Sequence, residues 1–485
     1  MKPEEQLINQ RIESLEELKK SGINPYPYFY NKDTDAVDIQ KLKLKKEEKL
    51  KKIVNLAGRI ISIRNMGKST FGHLQDQTGK VQFYIRGDDV KDYKLLKRFD
   101  IGDFIGVKGN PFKTKAGENS IWVKEFVLLA KSLRPLPDKW YGLKDTEIRY
   151  RQRYVDLIIN PEVKDVFIKR ARIYQAIREF LDKKGFIEIQ TPIIQTQYGG
   201  GSAKPFSTKI HAWDINVYLR IAYELHLKRL IVGGFEKIYD LSSCFRNEGI
   251  DRTHNPEFAM MEIQWAFVDY TKAMELTEQL WEYVAKKVLG TTEINYQGTK
   301  INLKAPWKRM TVKEALRKIA KIDVDKLLDK EMIELVKKNK IDCKHSRGEM
   351  IIALFEELCE SRLIQPTHII DHPRESAPLA RFHREDKNMV ERIEPYINGW
   401  EVGNCYTELT DPILQKKLFE EQAKKLKEGD LEAHPMDEDY IRALEHGLPP
   451  NTGIGIGVDR MVMLLTDSKT IRDVILFPTM RPENK

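Results

Sequence analysis

Residues 239–267 read YDLSSCFRNEGIDRTHNPEFAMMEIQWAF. Two alternating stretches flank a polar loop that contains Gly249 and Asn255-Pro256. That pattern predicts an antiparallel hairpin with a long connection. A strand period of two places Arg246 and Glu248 on one face, and Phe258, Met260, Glu262 and Gln264 together on the returning strand. The hairpin thus offers a guanidinium, an acceptor carboxylate and an aromatic ring. A nucleotide calls for these three: a cation at the α-phosphate, an acceptor for an exocyclic amine and a surface to stack on. His254, in the loop, could reach outer phosphates. An isolated Arg-x-Glu would read as a salt-bridged sheet surface, but here the whole string FRNEGIDRTHNPEF has to be explained.

Outward from the hairpin, the 485 residues exceed one ordinary core, so two or more domains are expected. Residues 4–20 alternate as an amphipathic helix, with Leu7, Ile8, Ile12, Leu15 and Leu18 at helical spacing and Ser21-Gly22 as the stop. Lys41 to Lys52 carries seven lysines against two glutamates, which reads equally as a solvated helix face or as an RNA contact. These two segments form a helical extension over 1–52. Residues 53–135 break into five short strands (VNLAGRIISIR, TFGHLQD, KVQFYIR, DFIGVKG, NSIWVKEFVLL), which suits a small closed barrel such as an OB-fold. Pro135-Leu136-Pro137 opens a linker over 136–150. Residues 151–485 are mixed α and β. A helical stripe from Val166 to Leu181 ends at Gly185, Phe186–Gln190 alternates as a strand, and about 307–365 reads as a helical insertion. No apolar run is long enough to cross a membrane, and the N-terminal residues do not resemble a secretory signal. The four cysteines form no CxxC pair, so free thiols in a reducing cytoplasm are the simpler expectation. A net charge of +9 favours polyanionic partners, though weakly by itself.

The string FRNEGIDRTHNPEF resembles motif 2 of class II aminoacyl-tRNA synthetases, an arginine-x-glutamate followed by a loop and a phenylalanine. HNPEF, with Asn255, resembles the lysine branch. KGFIEIQTP (184–192) resembles motif 1, a dimer-interface helix and strand. TGIGIGVDRM (452–461) resembles motif 3, and IRDVILFPTMRP resembles lysyl enzymes. The resemblance runs from about residue 5 to the C-terminus. It implies an α+β chain: an N-terminal OB-fold β-barrel that binds an anticodon, then a class II catalytic domain whose antiparallel sheet is flanked by helices. It also implies ATP and L-lysine as substrates, tRNA(Lys) as partner, Mg²⁺ as cofactor and a homodimer.

Residue roles follow from the same resemblance. Arg246 would bridge the amino-acid carboxylate and the α-phosphate. Glu248 would accept from the adenine amine, Phe258 and Arg460 would sandwich the ring, and His254 would meet the γ-phosphate. GIGIG lacks the GK[ST] ending of a phosphate loop and reads better as close backbone packing, with Gly455 and Gly457 leaving room beneath ATP. A buried ε-ammonium needs more than one acceptor, because desolvating an unpaired ion costs several kcal/mol. Residues 400–411 place Asn404, Tyr406 and Glu408 on one face, so Glu262 and Glu408 are the expected pair for the ε-amine. Glu224 would hold the α-amine, with Gly200 closing over it. Where the family often has tyrosine this chain has Gln264, whose amide oxygen could accept the same hydrogen bond. Glu394 and Glu401 resemble Mg²⁺-binding carboxylates. His368, His372 and His383 have spacing that could serve a metal but read better as a structural or substrate-neighbouring loop; relatives often show an aromatic at His372. In the barrel Phe71 would stack the central anticodon base, Gln82 and Glu118 would read its edge, and Arg64 would support it, although Phe71 could equally be barrel core. The competing readings are a paralogue that modifies a protein lysine, aspartate or asparagine as substrate, and a non-enzymatic RNA-binding protein.

Overall fold

The computed structural model describes residues 3–137, 143, 145–343, 346–428 and 435–483. Part of the expected linker, residues 138–142 and 144, lies outside them. The chain divides into two compact units, Met1–Lys144 and Asp145–Lys485. Among the described residues no helix is long and apolar enough to cross a membrane.

The first unit is a closed barrel of β1 (Val54–Met66), β2 (Ser69–Gln75), β3 (Lys80–Arg86), β4 (Phe104–Lys113) and β5 (Asn119–Ala130), in the order β1-β2-β3-β5-β4. Alternate residues such as Leu56, Leu74, Phe83, Ile85, Val107 and Ile121 fill the interior. The helix Pro3–Lys20 buries only Leu15 and Leu18, while Leu7 and Ile12 stay exposed, so its apolar stripe is used at one end alone. Residues 41–52 are not helical. Their backbone instead pairs with β4: Leu50 N–H donates to the Pro111 carbonyl at 2.9 Å and Lys113 N–H to that of Glu48 at 3.0 Å. The lysine-rich composition had concealed an added barrel edge.

The second unit begins its main sheet with the short β6 (Ile187–Glu188), then departs into a small three-stranded sheet of β7 (Ile194–Gln195), β8 (Ser207–Ile210) and β9 (Ile215–Leu219). The hairpin is β10 (Lys237–Phe245) and β11 (Glu257–Ala266). After the two-stranded β12 (Glu293–Tyr296) and β13 (Thr299–Asn302) come β14 (Lys308–Thr311), β15 (Thr367–Pro373), β16 (Met389–Ile397), β17 (Trp400–Glu401), β18 (Gly403–Thr407) and β19 (Asn451–Gly457). The main sheet runs β14-β15-β16-β18-β19-β11-β10-β6, with β17 attached to β16. It is antiparallel in its middle but parallel at both ends, β14 with β15 and β6 with β10. The segment at about 307–365 is therefore not helical throughout, because β14 is an edge of this sheet. Behind β14 the helices Asp329–Lys338 and Arg347–Leu358 enclose their own core around Met332, Leu354 and Phe355.

One face of the main sheet is covered by the helices Pro161–Lys183, Tyr270–Leu289 and Val458–Thr466, which pack Ile177, Leu181, Trp281 and Met461 against Met261, Ile263, Ile454 and Ile456. Phe258, Met260, Glu262 and Gln264 project from the opposite face, as strand alternation requires.

Candidate active site

On that opposite face lies a cavity of about 400 Å³. Its floor is set by register: Glu262 lies beside Gly455 and then Asn404, and Gln264 beside Gly453 and then Tyr406. In GIGIG the isoleucines face the core and the glycines face the cavity. A Cβ on Gly453 would collide with the Glu408 carboxylate and stand 2.7 Å from Gln264 Nε2.

Arg246, Glu248, His254, Phe258, Arg460, Gly200, Glu224, Glu262, Asn404, Tyr406, Glu408 and Glu401 all line this one cavity. Arg246 and Glu248 do so from the loop, because β10 ends at Phe245; strand alternation is not what brings them there. Arg246 N–H donates to the Pro256 carbonyl at 2.9 Å, its guanidinium lies 5.2 Å from the Phe258 ring centroid, and its buried Nε has no hydrogen-bond partner among the described residues. Such an atom suits an incoming anion. Arg460 Nη1 donates to the Glu401 carbonyl, and its Nη2 lies 3.4 Å from His254 Nε2. The guanidinium over Phe258 is therefore that of Arg246, while Arg460 is turned toward the loop histidine.

The acidic end is built around the helix Glu224–Val232. Tyr223 N–H, at its start, donates to Glu262 Oε2 at 3.1 Å. Gly200 has φ +81°, and a Cβ there would stand 3.0 Å from the Glu224 Cβ, so this position needs glycine for both backbone and space. Burial, reinforced by nearby Glu224, raises the Glu262 carboxyl well above its ordinary value. Burial also pushes Glu408 up, to about 8, against the pull of Lys228.

Sequence reasoning missed three residues here. Lys228 is fully buried, with Nζ 2.5 Å from Glu224 Oε1 and in ionic contact with Glu408 Oε2. The i, i+4 spacing of Glu224 and Lys228 was visible, but that pair usually marks a solvated surface. Arg392 also lines the cavity; it donates to Asn404 Oδ1 at 2.9 Å and to Glu394 Oε1 at 2.5 Å. Asn451, buried at the start of β19, donates to Gln264 Oε1 at 2.8 Å. The Gln264 amide oxygen thus already accepts one hydrogen bond from within the protein.

Of the two expected metal carboxylates, Glu401 lines the cavity and Glu394 does not. Burial and the neighbouring Glu394 raise the Glu401 carboxyl against the pull of Arg460. Burial would raise Glu394 too, but the Arg392 guanidinium overrides it and lowers that carboxyl, and Tyr396 OH donates to it at 2.9 Å. The three histidines do not converge. His368 stacks on Trp307 with centroids 5.2 Å apart, His372 Nε2 lies 3.2 Å from the Ile369 carbonyl, and His383 Nε2 is 3.8 Å from Asp371. No group of three or more His, Cys, Asp or Glu that could hold a metal occurs among the described residues.

On the barrel, cross-strand register lines up Phe71, Tyr84 and Trp122, and next to them His73, Gln82 and Ser120. Phe71 is outside the core and lies 4.6 Å from Tyr84 between centroids. Gln82 Nε2 donates to Glu118 Oε2 at 2.8 Å, and His73 Nε2 lies 2.9 Å from Glu118 Oε1. Arg64 is exposed and pairs with Phe71 across β1 and β2. Tyr84, Trp122 and His73 thus stand beside Phe71 and Gln82, aromatic next to polar.

A largely antiparallel sheet with an arginine-bearing hairpin loop and a glycine-lined central strand, in a chain with a separate five-stranded barrel, defines the class II tRNA synthetase type. Residues 145–481 match the family model "tRNA synthetases class II (D, K and N)", and residues 54–136 match "OB-fold nucleic acid binding domain". Lysine–tRNA ligase of Thermoanaerobacter pseudethanolicus is 52% identical over 99% of this chain and 97% of its own length. That of Carboxydothermus hydrogenoformans is 50% identical over 99% of both, and that of Moorella thermoacetica 48% identical over 100% of both. The chain belongs to the lysine–tRNA ligase family.

Proposed function

We propose that this chain activates L-lysine with ATP as lysyl-adenylate and esterifies it to the 3′-terminal adenosine of tRNA(Lys). The observation that carries the reading is the convergence of Glu224, Glu262 and Glu408 in the same cavity as Arg246 and Arg460. Once ionised, three carboxylates against the buried Lys228 leave an excess of two negative charges, which matches the two ammonium groups of lysine and opposes an aspartate side chain. Glu224 takes the α-amine beneath Gly200, and Glu262 and Glu408 take the ε-amine, flanked by Asn404 and Tyr406. ATP lies toward Arg246, Glu248, His254, Phe258 and Arg460.

The lysine carboxylate is ionised at neutral pH, so its attack on the α-phosphorus needs no general base. Arg246 holds carboxylate and phosphate together and stabilises the charge that builds on the phosphoryl oxygens; positioning and electrostatics carry the step. Glu401, the one of the expected pair that lines the cavity, would be the carboxylate to meet Mg²⁺, which commonly takes one or two carboxylates plus substrate phosphates. Bound there, it would neutralise phosphate charge. On the barrel Phe71 stacks an anticodon base, Gln82 and Glu118 read its edge and Arg64 supports it, with Tyr84 and Trp122 prolonging the stacking surface. The exposed Ile187, Ile193 and Ile194 around β6 and β7 support a homodimer through that edge, and the free cysteines support a cytoplasmic setting.

The test is exchange of labelled pyrophosphate into ATP. It should depend on lysine and not on aspartate, and the converse result would overturn the substrate. Glu408→Gln should raise the lysine KM far more than the ATP KM; equal effects on both would reject the pocket assignment.

A further inference from the structure

Gln264 stands between two buried partners. Its amide oxygen accepts from Asn451 Nδ2 at 2.8 Å, and its amide nitrogen donates to Glu408 Oε1 at 2.8 Å. Gln264 is 2% exposed, while Asn451 and Glu408 are fully buried. In this arrangement the NH₂ of Gln264 faces Glu408 and its amide oxygen faces Asn451. The contact crosses β19 over Gly453, where any side chain would occupy the space between the two groups. The backbone closes the same loop, because Glu408 N–H donates to the Asn451 carbonyl at 2.9 Å. On the other side of the carboxylate, Lys228 contacts Oε2 without an aligned hydrogen bond. One oxygen is thus held by a directional bond, and the other meets the Lys228 ammonium.

We propose that Gln264 is a positioning residue for lysine selection: anchored by Asn451, it fixes the Glu408 carboxylate in the orientation that receives the substrate ε-ammonium. Gln264 does not itself accept from the substrate. A tyrosine hydroxyl could do so directly, whereas this amide acts one step back, through Glu408. A carboxylate held by Lys228 alone could turn about its terminal bond toward that cation, and the ε-ammonium would lose its aligned acceptor. The inference rests on the assignment of Glu408 to the ε-amine.

The test uses the full-length enzyme in pyrophosphate exchange, with Gln264→Met, which keeps the volume and removes the hydrogen bonds, and Asn451→Ser. Gln264→Met should raise the lysine KM about 10- to 100-fold, the loss of one hydrogen bond to a charged group, with the ATP KM unchanged. Asn451→Ser should produce a smaller defect of the same kind. The double variant should be no worse than Gln264→Met alone, because members of one chain are not additive. A merely structural role would move the ATP KM and thermal stability together with the lysine KM. An unaltered lysine KM in both single variants, with Glu408→Gln still defective for lysine, overturns the proposal and leaves the ε-amine assignment standing. An unaltered lysine KM in Glu408→Gln would overturn the assignment itself. If Gln264→Met does not fold, Asn451→Ser decides alone, and a defect in ATP KM equal to that in lysine KM counts against the proposal.

Discussion

Lys228 is a buried cation held by two carboxylates, and its removal separates stability from specificity. Lys228→Met would leave the buried Glu224 and Glu408 facing one another without their shared cation. Breaking a buried pair from one side costs about 3 kcal/mol or more, so denaturant melts should show a loss of that order, smaller at acid pH where a carboxyl can hold a proton. A pH effect on binding follows from the same groups. Glu262 and Glu408 both have raised values in the free protein, Glu408 to about 8. The substrate ammonium favours their ionised forms, so lysine binding expels protons. Lysine affinity should therefore rise as pH rises toward about 8 and fall only when the substrate amines themselves deprotonate, for a lysine side chain near about 10. A lysine KM that is flat between mildly acid and mildly alkaline pH would contradict this.

At the scale of elements, β19 decides what the cavity can hold. Gly453→Ala should abolish lysine activation with the fold retained, since the three atoms nearest its Cβ belong to the Glu408 and Gln264 side chains and not to backbone. Gly403→Ala should instead weaken the sheet, because its Cβ would stand 2.5 Å from the Gly455 carbonyl oxygen, which cannot move without its strand. Exchange assays read against thermal melts distinguish the two. The hairpin was legible in the sequence, because period-two alternation is a local signal, whereas the glycine-lined strand beside it entered through resemblance. Glu262, Glu408 and Gly200 were legible through resemblance. Lys228 and Asn451 were not: both are defined by what lies across the sheet, and a buried lysine has the same local signature as an exposed one. Residues 41–52 show the opposite failure, where composition suggested a helix and pairing to the barrel made an extended edge.

For the whole molecule, each unit carries its own core: Leu56, Phe83 and Ile121 in the barrel, Ile177, Trp281 and Ile454 in the sheet unit. A chain lacking residues 1–144 should retain lysine-dependent pyrophosphate exchange and lose most tRNA charging; loss of exchange as well would mean that amino-acid activation depends on the barrel. The two-unit plan was readable from the change between short strands and mixed α and β. The β14 edge was not, because its four residues precede a long helical stretch that dominates the local pattern.

β19 has one further consequence. Its two faces obey opposite demands, bulk toward the interior and emptiness toward the substrates, and they alternate residue by residue. Deleting a single residue within it would exchange the faces, so isoleucine would plug the substrate chamber while glycine left holes in the interior. Such a frameshift of the pleat should end catalysis and folding in one stroke, whereas removal of two residues would restore the phase.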